Sequence, residues 1–159
     1  MADASKAPEI HTVASNRKAW HKFQILERWE AGLVLLGTEV KSLRLGRATL
    51  TEAYVHERAG ELWLQGLQIP QYPQASFMNH EVTRPRKLLL HRRQVEAISQ
   101  ALDAGGATAV PLSLYFKGSV AKVEIALARG KTHADKREDL KRKATDRETA
   151  REVSRRGRG

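Results

Sequence analysis

The chain has 159 residues, with 28 Lys and Arg against 18 Asp and Glu, a formal net charge of +10 and a sequence pI near 10.2. That length holds one domain plus tails, and the charge makes nucleic acid the first partner class, ahead of an anionic membrane surface. Lack of cysteine excludes disulfides, thiolate catalysis and cysteine zinc sites and suits a reducing cytosol, and there is no run of about 18 apolar residues to span a membrane.

Residues 1–15 are polar and Ala-rich with Pro8, and read as a disordered leader that lacks the apolar stretch of a secretory signal. From Phe23 to Leu36 the chain turns apolar, and Gly32 predicts a bend between two strand segments. Thr38 opens Glu39 to Leu45, with Val40 and Leu43 in helical register and Gly46 behind them. This predicts a two-turn helix with a Thr N-cap and a Gly stop. Thr51–Arg58 and Leu62–Ile69 predict a strand pair turning at Ala59-Gly60. The apolar parity switch at Gly66 predicts a bulge. Gln71–Pro85 is a long polar loop. Leu88–Leu90 predicts a strand, and Val95, Ile98, Ala101 and Leu102 predict a helix from His91 to Ala104, ended by Gly105-Gly106. Val110, Leu112, Leu114 and Phe116 alternate, as do Val123, Ile125 and Leu127, with a hairpin turn at Lys117-Gly118-Ser119. About six short strands with two helices, and no repeating strand–helix–strand rhythm, predict a mainly β fold: a small antiparallel barrel with helices at its ends, over residues 16–128.

Residues 129–159 differ in kind. They carry twelve Lys or Arg against six Asp or Glu, with Leu140 and Val153 as the only large aliphatics. Such a segment cannot bury enough apolar surface to offset an ordering entropy of roughly 1–2 kcal/mol per residue, so it is expected to be disordered in the free protein. Asp135 and Glu138 match a capping box, and Glu138/Arg142 and Asp139/Lys143 are favourable i, i+4 pairs. Helix is therefore a ready alternative once a polyanion neutralises the excess charge.

No catalytic motif is present. His11, His21, His56, His80, His91 and His133 show no metal-ligand spacing, and H-E-x-x-H, a phosphate-binding Gly-rich loop and G-x-S-x-G are absent. The expected activity is binding, with no cofactor and no metal. Basic residues instead gather at element ends: Arg17 and Lys18 beside Asn16, then Lys41 and Arg44, then Arg47, then Arg84, Arg86 and Lys87. Arg84 and Arg86, two apart in an extended segment, are read as reaching one phosphate backbone. Trp20, Trp29, Tyr54, Trp63, Tyr72 and Tyr115 are read mostly as core, with Tyr72 the best candidate for base stacking.

Asn16-Arg17-Lys18-Ala19, Trp29-Glu30-Ala31-Gly32, Gly37-Thr38-Glu39-Val40-Lys41-Ser42-Leu43-Arg44, Arg86-Lys87-Leu88-Leu89-Leu90, Pro111 to Phe116 and Asp135-Lys136-Arg137 occur in that order. Together, over about Ser15 to Lys141, they closely resemble the SsrA-binding protein (small protein B) family of bacterial trans-translation. The resemblance implies an oligonucleotide-binding-type β-barrel with embedded helices, acting as a monomer on transfer-messenger RNA. It also implies delivery of that RNA to stalled ribosomes in the cytoplasm, with the tail at the small-subunit decoding centre and mRNA channel. Carried over by motif, Asn16 and Glu30 lie in the RNA-binding part, with Gly32, Lys41, Arg44, Arg86, Lys87 and Leu89 as neighbours. Lys131, Asp135, Lys136 and Arg137 take the ribosome-side role, joined by His133, Lys141, Arg142 and Lys143. The family often has Tyr or His directly before Asp-Lys-Arg; here Ala134 stands there, and His133 is one place earlier. The weighed alternatives are a generic barrel-type RNA-binding or ribosome-associated factor and, remotely, an RNA hydrolase.

Overall fold

The computed structural model describes residues 8–75 and 78–131. The chain divides into two units, 1–129 and 130–159, and every named element begins in the first. In chain order the elements are β1 (Ile10–Ser15), α1 (Arg17–Lys22), β2 (Phe23–Leu33), α2 (Gly37–Arg44), β3 (Tyr54–Arg58), β4 (Glu61–Gln65), β5 (Arg86–Leu89), α3 (Arg92–Asp103), β6 (Thr108–Lys117) and β7 (Val120–Gly130).

The strands form one seven-stranded sheet in the order β1-β6-β7-β2-β5-β4-β3, antiparallel in every registered pair. The sheet coils until β3 lies against β6, but no ladder joins them, so it is barrel-like without being closed. Part of the seam is held by a side chain. The buried Asn16 amide donates to Pro111 O of β6 at 3.0 Å and to Leu50 O, before β3, at 3.4 Å.

Several sequence expectations change. Residues 10–15, read as leader, are strand β1, which finds its partner in β6 about a hundred positions away. Arg17–Lys22 is an unpredicted helix, N-capped by Asn16, whose Oδ1 accepts the Ala19 N–H. No bend divides β2 at Gly32; the strand runs unbroken to Leu33. The N-cap of α2 is Leu36, whose N–H donates to Glu39 Oε1 at 2.8 Å, while the Thr38 hydroxyl bonds His80 Nδ1.

The expected turns are present. The Ala59-Gly60 loop has positive φ at both residues (53° and 76°), the type I′ pattern, and Gly46, Gly105 and Gly106 end their helices at positive φ. Gly118, at φ 62°, sits first in a two-residue turn between the paired Lys117 and Val120. Leu62, Leu64, Leu67 and Ile69 are all buried, so the parity switch at Gly66 is real. At that switch the regular strand ends: Gly66 has φ 79°, and a Cβ there would stand 2.6 Å from Glu52 O. Gln68 then pairs with Thr49 instead.

Between Pro111 and Ser113 the β6–β7 register shifts, leaving Leu112 as an extra residue. The four alternating apolar residues of β6 therefore split between two faces. Leu114 and Phe116 join the main core with Leu43, Leu64, Ile98, Val123 and Ile125. Val110 and Leu112 face α1, where Ala19, Ala126 and Ala128 are small enough for the helix to sit close.

Candidate nucleic-acid interface

The outer face of the β6–β7–β2 region is organised around Glu30. Tyr115 Oη donates to its Oε2 at 2.5 Å and Lys117 Nζ to its Oε1 at 3.3 Å. The tyrosine bond, with help from Lys117 and the nearby Lys122 charge, holds the Glu30 carboxyl below the usual glutamate range despite partial burial. Tyr115 moves the other way: burial first, and then the carboxylate it donates to, push its hydroxyl above the ordinary tyrosine range. Glu30 is thus a fixed anion beside Lys117 and Lys122, with its side chain 38% exposed and lone pairs left over. Such a group accepts from base amino groups or a ribose 2′-OH, and repels phosphate.

Beside it, Gly32 of β2 pairs with Leu89 of β5. A Cβ on Gly32 would lie 3.2 Å from Leu89 Cβ, so the glycine lets the leucine lie close over the strand. Leu89 remains half exposed. It borders a shallow concavity lined by Glu30, Gly32, Leu90, His91, Gln94 and Lys122.

The exposed cations of α2 are anchored on rings. Arg44 has its guanidinium 4.7 Å from the Phe116 ring centre and donates to Ser119 O at 3.5 Å, which brings it to the β6–β7 hairpin tip. Lys41 Nζ stands 5.6 Å from the Tyr72 ring centre. Contacts of this kind contribute about 0.5–1 kcal/mol each at exposed sites. Arg47 follows the helix, exposed.

Two predicted contact residues are interior instead, and a third is held inward. Asn16 is 4% exposed, with its amide committed as described. Arg86 is fully buried: it bonds Glu39 Oε2 at 2.5 Å, Leu67 O and Val82 O. Arg84 donates to Glu39 Oε1 and to Val34 O, so its half-buried side chain is also held inward. The expectation that Arg84 and Arg86 reach a phosphate backbone together is therefore overturned. A buried carboxylate binds both, because an unpaired arginine or glutamate in the interior would cost far more than a paired one. Burial pushes Glu39 up, but Arg84, the Leu36 N–H and Arg86 outweigh it, and the net shift is downward.

The remaining predicted residues are dispersed. Lys87 is half-buried and donates to Glu61 Oε1 at 2.9 Å. Arg17 and Lys18 are exposed on α1, where Lys18 lines a separate cleft with Lys22, Phe23 and Tyr54. Phe23 and Glu30 are seven residues apart on β2, roughly 23 Å of extended strand, so Lys18 belongs to a different part of the surface. Glu30, Gly32 and Leu89 lie together on the outer face, and Arg44 stands at the β6–β7 hairpin tip. Lys131 is the last described residue, half-buried. His133, Asp135, Lys136, Arg137, Lys141, Arg142 and Lys143 lie outside the described residues, as does the capping-box helix.

Sequence reasoning missed Glu39, Tyr115, Lys117 and Lys122. The alternation of Tyr115 and Lys117 placed both on one face of a strand, but only the order β6-β7-β2 brings that face to Glu30. Of the aromatics read as core, Trp20 and Tyr54 are nearly half exposed.

The family model described as SmpB protein matches residues 13–155. The SsrA-binding protein of Mycobacterium sp. (strain KMS) is 51% identical over 158 residues, covering 99% of this chain and 94% of that one. Its counterpart in Salinispora tropica is 52% identical over 147 residues, covering 92% of each. A chain from the solved structure "tmRNA-SmpB: a journey to the center of the bacterial ribosome" superposes with a TM-score of 0.64 at 41% identity, covering 80% of this chain and 93% of that one. With a family model spanning most of its length and relatives at half identity, the chain belongs to the SmpB protein family.

Proposed function

We propose that this protein binds the tRNA-like domain of transfer-messenger RNA and delivers it to stalled ribosomes for trans-translation. The observation that carries this reading is the 51% identity, over 99% of the chain, to a protein named for binding SsrA. The likeness to a chain solved with transfer-messenger RNA on the ribosome supports it. So does the outer sheet face, where one fixed carboxylate and an exposed leucine lie with Lys117 and Lys122.

Glu30, Gly32, Leu89 and Arg44 are the proposed contact group, with Lys41 and Arg47 meeting phosphates beside it and Arg17, Lys18 and Lys87 further out. Asn16, Arg84 and Arg86 act from the interior by fixing the frame. One copy acts per RNA, in the cytoplasm where ribosomes work, and the role is escort rather than catalysis. The tail from Lys131 through Lys143 is proposed to serve the ribosome, entering the vacant mRNA channel.

A salt-titrated binding assay comparing the tRNA-like domain with an ordinary tRNA tests the proposal. The tRNA-like domain should bind more tightly at every salt concentration. Its affinity should fall about a thousandfold or more between 50 and 200 mM salt if about six phosphates are engaged. Equal affinity for ordinary tRNA would leave only a generic RNA-binding factor, and metal-dependent cleavage of the RNA would overturn the non-catalytic reading.

A further inference from the structure

We infer that Trp20 and Arg28 form a stacking platform for one unpaired RNA base, extending the RNA-contacting face from Glu30 toward α1. The inference rests on the RNA-binding reading above and adds to it a site and a mode of contact.

Trp20 lies on the short helix α1, next to Ala19, which is the residue that buries against Val110, Leu112, Ala126 and Ala128. The Trp20 residue is 47% exposed, although tryptophan is on average a heavily buried residue. Trp29, by contrast, packs against the main core. The Arg28 guanidinium lies 5.7 Å from the Trp20 ring centre and 3.6 Å from Glu124 Oε1. A flexible arginine is thereby held from two sides, with its charge over the indole ring, and the pair forms a preset aromatic and cationic surface.

The position of this surface decides its use. Arg28 meets Glu124 of β7, and Glu30 feels the charge of Lys122 of β7. Lys122 and Glu124 are two apart and share a face, so Arg28 and Glu30 share the corresponding face of β2, about 7 Å apart along the strand. The platform is therefore continuous with the Glu30 group. Every base has a π-face, and unpaired bases stack on tryptophan and on arginine planes without needing a particular sequence. Arg17, exposed three residues before Trp20 on the same helix, supplies positive charge for a flanking phosphate.

The test uses the full chain and the tRNA-like domain of transfer-messenger RNA. Trp20→Ala should weaken binding by roughly 5- to 150-fold, the range that loss of one stacked base gives. The slope of log affinity against log salt should stay parallel to the wild type, because no charge is removed. Trp20→Phe should retain most of the affinity, yet lose the quenching of tryptophan emission that RNA causes in the wild type. Wild-type affinity in Trp20→Ala, or undiminished quenching in Trp20→Phe, would overturn the platform. Were Trp20→Ala to unfold, the Trp20→Phe quenching measurement would decide alone. A wild type with no preference for the tRNA-like domain would sink the functional reading and the platform with it. A preference unaffected by Trp20→Ala would sink the platform only.

Discussion

Two glutamates show how much a side chain's surroundings decide its use. Glu30 sits on an exposed face with Tyr115 and Lys117 as partners, and Glu39 is fully buried between Arg84 and Arg86. Because the Tyr115 hydrogen bond is the largest influence on Glu30, Tyr115→Phe should raise the Glu30 carboxyl pKa, measurable by NMR titration of its side-chain carbon. Glu30→Gln should weaken RNA binding by about tenfold, the loss of one charge-assisted hydrogen bond of roughly 1.5 kcal/mol, with little change in melting temperature. Arg86→Met would leave the buried Glu39 with Arg84 and the Leu36 N–H as its remaining partners and should cost about 3 kcal/mol in a denaturation experiment. Glu39 also sets a pH dependence. Its folded pKa lies below the unfolded value of about 4.3, so its contribution is complete above that value and is lost as pH falls through the folded pKa. The stability of Glu39→Gln should accordingly fall less steeply than the wild type's as pH drops below about 5.

At the scale of elements, turns and register carry the information. The β3–β4 loop places Ala59 in the left-handed region, where a Cβ is strained, ahead of Gly60. Ala59→Asn supplies the preferred Asn-Gly pair and should stabilise the protein by about 0.5 kcal/mol, read as a small rise in melting temperature. Gly66→Ala should do the reverse. Its φ of 79° and the approach of Glu52 O leave no room for a methyl group, and a loss of about 1–3 kcal/mol is expected on thermal melting. Helices α2 and α3 are legible in the sequence because their apolar spacing and glycine stops are local signals. Helix α1 is not: its six residues carry one buried alanine, and a single apolar position has no period. Strand β1 escapes for a related reason. A polar edge strand exists only because β6 is there to pair with it.

For the whole molecule, the division between the first unit and the residues after it becomes an experiment. Strand β7 extends to Gly130, and Arg129 donates to Gln24 of β2 at 2.6 Å. A chain cut after Lys131 keeps these contacts, whereas a cut after Ala128 would remove them. The longer truncation should keep its preference for the tRNA-like domain and lose peptide tagging on stalled ribosomes in a reconstituted translation assay. Loss of RNA preference in that chain would mean that the proposed division of labour is wrong.

The sequence by itself determined the partner chemistry, the family resemblance, most of the turns and the two longer helices. Charge, apolar period and glycine placement act over a few residues, so they can be read without knowing what packs where. Only the tertiary structure decided which basic residues face solvent. Arg84 and Arg86 look like phosphate ligands in the chain, but Glu39 lies 45 and 47 positions away in sequence and directly beside them in space. Asn16 likewise bonds Pro111 of β6, 95 positions on. Burial depends on which distant segments share the interior, and no local pattern records that.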